Sequence, residues 1–181
     1  MQELSLHLLD LLENAVRAGA RTILVSIDED PARDRLVLSV EDDGSGFPEP
    51  AERVLDPFFT TKEGKRTGLG LSLLRTAAEQ AGGGLRLGRS SLGGALVVAE
   101  LRLGHVDRMP LGDLPGTLFA MACTHPELVL QCRVRSAAGE RRAVSWEAGE
   151  DGSDAARGGW VAARRFAERV REDLRELQVT A

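Results

Sequence analysis

The sequence predicts an α/β two-layer sandwich, with helices on one face of a mixed sheet, followed by a small α+β module. Up to residue 104, helical and β-branched segments follow one another as helix, two strands, helix and two strands. The chain has 181 residues and is 43% hydrophobic, which is enough to bury a substantial core. A Pro- and Gly-rich joint, GHVDRMPLGDLPGT, then precedes a different pattern. We therefore predict two units, residues 1–104 and 105–181.

The first unit opens with an amphipathic helix. Its apolar residues recur at helical spacing as far as Ala18, and Gly19 supplies a C-terminal stop. Two β-branched runs follow, RTILVSID and RLVLSVE, joined by a short polar loop. A short helix is expected at 50–55 and a full one at 69–81. Two further strands, LRLGRS and GALVVAELRL, complete the unit.

The second unit is predicted to contain a helix, a hairpin and a final helix. The first helix is expected near 116–122. The segment ELVLQCRVRSAAGERRAVSWE is typical of two strands that turn at SAAGE. The polar link GEDGSDAARGG then leads into 160–177, where apolar residues alternate with Arg and Glu at helical spacing.

Composition excludes several function classes. With 23 Lys+Arg against 28 Asp+Glu, the chain lacks the basic surface that nucleic acid requires. Its two cysteines, Cys123 and Cys132, do not fit a metal site or a disulfide framework, so we expect two reduced, buried thiols. The N-terminal segment carries acids where a secretory leader carries bases, and no apolar stretch reaches the roughly 18 residues of a membrane helix. We expect a soluble cytoplasmic protein.

Three short stretches carry the chemistry: DLLENAVRAGA at 10–20, EDDGSGF at 41–47 and DPFFTTKEGKRTGLGLSLL at 56–74. Each one alone is compatible with a plain structural interpretation: a capping Asn, a turn, and a loop that leads into a packed helix. The last stretch also places the N–H groups and the positive dipole end of a helix where a polyphosphate could bind.

Together and in this order, the stretches resemble the GHKL superfamily of ATP-binding domains, which includes DNA gyrase, MutL and the histidine kinases. ENAVRAGA corresponds to the N box, DDGSGF to the first glycine box, DPFFTTK to the phenylalanine box and TGLGL to the second glycine box. The resemblance covers residues 1 to about 104 and implies a Bergerat fold with ATP and Mg²⁺ as ligands.

The resemblance implies a role for two side chains of the first helix. Asn14 would offer its amide oxygen to Mg²⁺, a hard cation that keeps several waters and bridges phosphate oxygens. Arg17 lies one turn further along on the same face and would reach the phosphates, although a surface arginine is the alternative.

The glycine boxes would hold the rest of the nucleotide. Asp42 would accept a hydrogen bond from the adenine amino group, while Gly44 and Gly46 let the backbone approach the ring. Asp43 and Glu41 are interpreted as solvated neighbours. The phosphate cradle would comprise Thr67, Gly68, Leu69 and Gly70, and Lys62 is the candidate for a lid side chain that reaches the phosphates.

Two residues depart from the family pattern. Hydrolysing members carry a Glu four residues before the Asn, where this sequence has Asp10, which we take as the candidate general base. Asp is one methylene shorter, and a misplacement of about 1 Å can cost on the order of a hundredfold in rate. Slow turnover, or none, is therefore expected. The Thr that usually follows the last glycine pair is Ala95, so its hydroxyl is missing and a modest affinity for the nucleotide is expected.

A narrower resemblance extends over most of the chain. QELSLHLLDLLENAVRAGA and GHVDRMPLGDL resemble small free-standing histidine-kinase-like ATP-binding proteins that are encoded beside iron-only hydrogenase genes. His7 is interpreted as structural, because it lies on the nucleotide-domain helix.

Three hypotheses remain open at this point. The chain could be an enzyme, either a slow ATPase switch or a kinase that passes phosphate to Ser or His of an unknown protein partner. It could be a non-catalytic ATP/ADP sensor that regulates such a partner. In the third hypothesis, the glycines are structural and nothing binds.

Overall fold

The described part of the chain forms a six-stranded mixed sheet with helices on one face. The computed structural model describes residues 3–47, 69–135, 141–147 and 155–179. The elements in chain order are α1 (Leu4–Arg17), β1 (Thr22–Asp30), β2 (Arg35–Asp42), α2 (Leu69–Gln80), β3 (Gly84–Arg89), β4 (Ala95–Arg102), α3 (Leu114–Thr124), β5 (Val129–Arg135), β6 (Arg141–Trp146) and α4 (Ala155–Glu176).

The strands lie in the order β3-β4-β2-β1-β5-β6. β1 and β2 are antiparallel, with Ile23 opposite Asp42, and a 3-10 turn at Pro31–Arg33 joins them. β4 pairs antiparallel with both β2 and β3, whereas β5 runs parallel to β1 and pairs antiparallel with β6. The predicted two-layer fold with helices on one face of a mixed sheet is confirmed.

The helices form a single layer over the sheet. α2 packs on β3 and β4, α1 on β2, and α4 on β5 and β6, while α3 lies between α1 and α4. Alternate residues of β2 and β4 are buried, as expected when one face of each strand points into a core. The face of α1 that meets the sheet is apolar and consists of Leu4, Leu8, Leu11, Leu12 and Ala15.

Residues on both sides of position 104 share this sheet and its core. Leu130 of β5 is fully buried beside β1, and Leu118 of α3 is fully buried in the same apolar cluster as Leu8 of α1. The backbone N–H of Leu4 also donates to the carbonyl of Pro110 at 2.9 Å. The division into two units at 104 stays a prediction about domain organisation.

Two helices are longer than the sequence pattern predicts. α3 begins at Leu114 because Asp113 caps it, with Oδ1 accepting the Gly116 N–H at 3.0 Å. α4 begins at Ala155, within the stretch expected to be a polar link. A long amphipathic helix tolerates the two glycines near its start, since each costs only about 1 kcal/mol. The helix expected at 50–55 lies outside the described residues.

The two cysteines differ from each other. Cys132 lies in β5 and is buried as expected, and this burial raises the pKa of its thiol to about 12. Cys123, by contrast, is exposed, so the expectation of two buried thiols was wrong for it. It falls in the last turn of α3, and the number and spacing of the cysteines did not indicate its exposure. His7 is buried in α1, with 2% of its surface exposed.

Candidate functional site

One stripe of α1 connects the segments that carry the sequence motifs. Asp10, Asn14 and Ala18 are four residues apart and therefore lie on the same side of the helix. At one end, a Cβ added to Gly70 of α2 would lie 3.1 Å from the Cβ of Asp10. At the other end, the carbonyl of Ala18 accepts the Ser45 N–H at 3.0 Å. Asn14 thus lies midway between the start of α2 and the loop after β2.

Asp42 ends β2 and is fixed by backbone groups on two sides. Its side chain is only 5% exposed. Oδ1 accepts the Gly44 N–H at 2.9 Å and the Ala95 N–H at 3.1 Å, while the Asp42 carbonyl accepts the Gly94 N–H at 3.0 Å. Both of these side-chain hydrogen bonds from described residues use Oδ1, so Oδ2 is the oxygen that a bound group could engage.

Glycines allow the loops around Asp42 to approach one another closely. A Cβ on Gly44 would lie 2.9 Å from the carbonyl oxygen of Ala18. A Cβ on Gly94 would lie against Oδ1 of Asp42 and 2.6 Å from the Gly44 nitrogen. Gly46 has φ +74° and lies beside Gly94. A side chain at Gly44 or Gly94 would therefore separate the segments that hold Asp42 in place.

Asn14 and Arg17 are both exposed and contact each other. Arg17 Nη2 donates to Asn14 Oδ1 at 2.8 Å, and Arg17 Nε donates to the Glu13 carbonyl at 3.0 Å. The guanidinium therefore lies beside the amide oxygen that the family resemblance predicts to bind Mg²⁺. An incoming cation would have to replace this hydrogen bond.

Part of the predicted site lies outside the described residues, namely Lys62, Thr67 and Gly68. Leu69 is the first residue of α2 and Gly70 the second, as expected for a loop that becomes a helix at this point. The structure thus brings Asp10, Asn14, Arg17, Asp42, Gly44, Gly46 and Gly70 to one end of the sheet and helix layer. Their individual ligand roles stay predictions.

Two residues next to Asp42 have structural contacts that the sequence interpretation missed. Glu41 Oε2 accepts the Ser91 N–H at 3.0 Å and the Ser91 hydroxyl at 2.8 Å, which ties β2 to the β3–β4 turn. Asp43 Oδ1 accepts the N–H groups of Arg21 and Thr22 at 2.7 and 2.9 Å. Burial opposes ionisation of Asp43, but these donors outweigh it and hold its pKa below the usual range. The run of three acidic residues directly before the glycine turn is the feature of the sequence that could have indicated these contacts.

Comparison with known protein families shows which family this chain belongs to. Residues 2–105 match the family described as histidine kinase-, DNA gyrase B-, and HSP90-like ATPase. The chain belongs to this family. The match covers the helix stripe, the loop after β2 and the start of α2, which are the segments that converge here. The GHKL resemblance inferred from the motifs is thereby confirmed.

Individual relatives cover only part of the chain. The sensor histidine kinase ZraS of Salmonella typhimurium is 37% identical over 82 residues, which are 44% of this chain and 17% of ZraS. The sensor kinase CckA of Brucella abortus is 51% identical over 55 residues, 29% of this chain and 6% of CckA. The chain therefore spans a small fraction of the length of these relatives.

A solved structure extends the similarity in fold. The crystal structure of the N-terminal domain of a DNA repair protein aligns with a TM-score of 0.52, covering 87% of this chain and 59% of that chain at 13% identity. This shows a shared fold alone.

None of the helices in the described ranges is both long and apolar enough to cross a membrane. Within those ranges, no three His, Cys, Asp or Glu side chains are grouped as a metal site would require.

Proposed function

We propose that this chain binds Mg·ATP at the end of the sheet that carries Asp42, and that it acts as a regulatory switch toward a protein partner. The observation that carries the proposal is the position of Asp42: buried, fixed through Oδ1 by two backbone donors, and next to the α1 stripe. The family match supports ATP as the ligand. The switch would be a slow ATPase or a kinase that phosphorylates Ser or His of the partner.

The adenine fits the surroundings of Asp42. A carboxylate oxygen accepts the exocyclic amino group of adenine, whereas guanine presents a carbonyl at that position and would be repelled. Because backbone N–H groups already satisfy Oδ1, the carboxylate is held in one orientation. Gly44 and Gly46 supply a backbone surface without Cβ atoms beside it.

The phosphate end would lie along α1 and the start of α2. Asn14 offers one neutral oxygen, which suits Mg²⁺ because this ion keeps most of its waters and takes further ligands from phosphate. When the amide oxygen turns to the metal, Arg17 loses its acceptor and becomes available to pair with a phosphate. One exchange of partners would thus place both side chains on the nucleotide.

Asp10 is the proposed general base. Bound ATP would supply an activated phosphoryl group, and Asp10 would take the proton from the attacking water or hydroxyl. The Asp10 side chain lies on the same stripe as Asn14 and against Gly70, where an added Cβ would be 3.2 Å from Asp10 Oδ2. Being one methylene shorter than the Glu of hydrolysing relatives, it is expected to support slow turnover.

The second candidate function is a non-catalytic ATP/ADP sensor. Two observations favour it: Asp10 replaces the longer Glu, and Ala95 contributes only its N–H where a Thr hydroxyl is usual. In this case nucleotide binding alone would change the affinity for the partner. Both candidates include a cytoplasmic location and exclude direct binding of nucleic acid or membrane. The net charge of −5 supports the exclusion of nucleic acid.

Thermal unfolding with and without Mg·ATP tests the binding step. A saturating nucleotide at about 100 times its Kd should stabilise the protein by about 2.7 kcal/mol, with a corresponding rise in Tm. Asp42→Asn keeps an acceptor at Oδ1 but turns an amide N–H₂ toward the adenine amino group, so the rise should disappear. Asp107→Asn, the same change at an exposed residue, should retain it. No rise in the unsubstituted protein would overturn the proposal.

Incubation with γ-labelled ATP and Mg²⁺ tests whether the chain hydrolyses ATP. Free phosphate above the level of Asn14→Ala, and its loss in Asp10→Asn, would identify an ATPase. Label that stays in intact ATP while Tm still rises would identify a sensor, or a kinase that lacks its substrate.

A further inference from the structure

A groove of about 930 Å³ lies at the opposite end of the sheet from the proposed nucleotide site. One wall is strand β6 from residue 143 to 146 together with Glu147, which follows the strand, and the other wall is a stripe of α4. The residues that matter here are Val144, Trp146, Val161, Arg165, Phe166 and Arg169. Val161, Arg165 and Arg169 are four residues apart, and Phe166 lies three residues before Arg169, so these helix positions form one continuous face.

The strand wall is the edge of the sheet. β6 pairs with β5 on its inner side, and in the part of the chain that the structure describes no strand pairs with its outer side. Four consecutive residues of β6, from 143 to 146, line the groove, so the groove follows most of the strand. An edge strand leaves a row of N–H and C=O groups that can pair with another chain.

The groove floor is apolar. Trp146 and Phe166 are each only 4% exposed, while Val161 is 42% exposed and faces solvent at the groove. The indole N–H of Trp146 is covered and has no acceptor among the described residues. An acceptor brought by a bound chain, together with a small rotation of the ring, would satisfy this donor.

The groove rim is basic. Arg165 and Arg169 are exposed, and neither forms an ion pair or hydrogen bond with a described side chain, although Arg169 attracts Glu176 at longer range. Other arginines of α4 are paired: Arg164 with Glu168 at 2.9 Å and Arg171 with Asp113 at 3.5 Å. The groove lining also includes the exposed carboxylate of Glu147, so two arginines face one acid there, which is a local basic excess in a chain with a net charge of −5.

We propose that this groove binds an extended acidic segment of a partner protein. The segment would add a strand to the outer edge of β6, place apolar residues over Trp146 and Phe166, and direct carboxylates to Arg165 and Arg169. A second copy of this chain is disfavoured, because pairing two β6 edges would bring together the same free arginines from both copies. The proposal rests on β6 and α4 and is independent of nucleotide binding.

Peptide selection on the full chain tests this proposal. Random linear peptides displayed on phage would be selected on the immobilised protein, resynthesised with a fluorophore and titrated by fluorescence polarisation. Selected sequences should alternate apolar residues with Asp or Glu. The double variant R165E/R169E should weaken binding by about tenfold or more, because it replaces attraction by repulsion at two rim positions.

The control is R171E/R175E, which makes the same charge change on another face of α4 and should leave the affinity unchanged. Because it also removes the ion pair between Arg171 and Asp113, its Tm is measured alongside. If R165E/R169E lowers the Tm, R165Q/R169Q serves instead, with a smaller loss of affinity. Hydrogen exchange should show protection of residues 141–146 on peptide binding.

Four results would overturn the proposal. These are failure to select any peptide, selected peptides without acidic enrichment, equal weakening by both double variants, and protection confined to other strands. Dimerisation that rises with protein concentration and protects β6 without peptide would instead assign the groove to a second copy. Each result can be read whether or not ATP raises the Tm, so this proposal and the proposed function can fail separately.

Discussion

The two ends of the sheet are held together in different ways. At the end that carries Asp42, where β2 finishes and β4 begins, carboxylates bind backbone N–H groups: Asp42 holds Gly44 and Ala95, and Asp43 holds Thr22. Glycines there allow main-chain segments to touch. At the β5–β6 end, long side chains make the contacts, such as Arg142 with the buried carboxylate of Asp173 at 3.1 Å.

This difference indicates how much freedom each end has. A backbone contact at a glycine leaves no space for a methyl group, so the geometry around Asp42 is fixed by few residues. Arginine and aliphatic side chains can adjust their rotamers, so the β5–β6 end can accept many sequences of similar volume. The end that is proposed to bind a small ligand is therefore the more rigidly specified one.

Gly94→Ala should disrupt the surroundings of Asp42 and have the largest effect on stability. The new Cβ would lie against Asp42 Oδ1 and 2.7 Å from the Asp42 carbonyl oxygen. Overpacking together with broken buried hydrogen bonds should lower the free energy of unfolding by on the order of 4 kcal/mol. Chemical denaturation measures this. Gly84→Ala, where nothing lies within 4 Å of an added Cβ, is the control and should change little. Equal effects of the two substitutions would contradict the comparison.

Leu130→Ala tests whether the two ends unfold together. Leu130 is fully buried in β5, which pairs with β1 on one side and β6 on the other. Removing its side chain should cost about 3 kcal/mol. If the sheet is one cooperative unit, hydrogen exchange in β2 and in β5 should lose the same protection. Loss confined to β5 and β6 would favour two units divided near residue 104.

Asp43→Asn has the smallest expected effect. It tests whether the charge of a carboxylate stabilises the end of the sheet that carries Asp42. The folded-state pKa of Asp43 lies below its ordinary value, so the stabilisation by its charge is present above the unfolded pKa and is lost as the pH falls through the folded pKa. We expect a loss of about 1 kcal/mol at neutral pH. The difference between the two proteins should vanish well below about pH 3.9. A difference that persists in acid would show that charge is not the cause.

Sequence patterns predicted the strands and helices where periodicity was strong. β2 was expected to end at Glu41 and ends at Asp42, and α2 was expected from residue 69 and begins there. The start of α4 was predicted too late, because two glycines suggested a link, although a long helix tolerates glycines near its start. The roles of Glu41 and Asp43 were missed for another reason: their donors lie in other segments of the chain, and a run of acids looks the same whether it is solvated or hydrogen-bonded.

The sequence by itself determined the family and the residue types of the candidate site, since Asn14, Asp42 and the glycines recur in short motifs whose chemistry is local. The tertiary structure alone decided that β5 pairs with β1, that Arg17 contacts Asn14, and that a basic groove follows β6. These features depend on side chains and strands from distant positions that meet only when the core forms. Their cause is packing between segments, which periodicity within one segment does not encode.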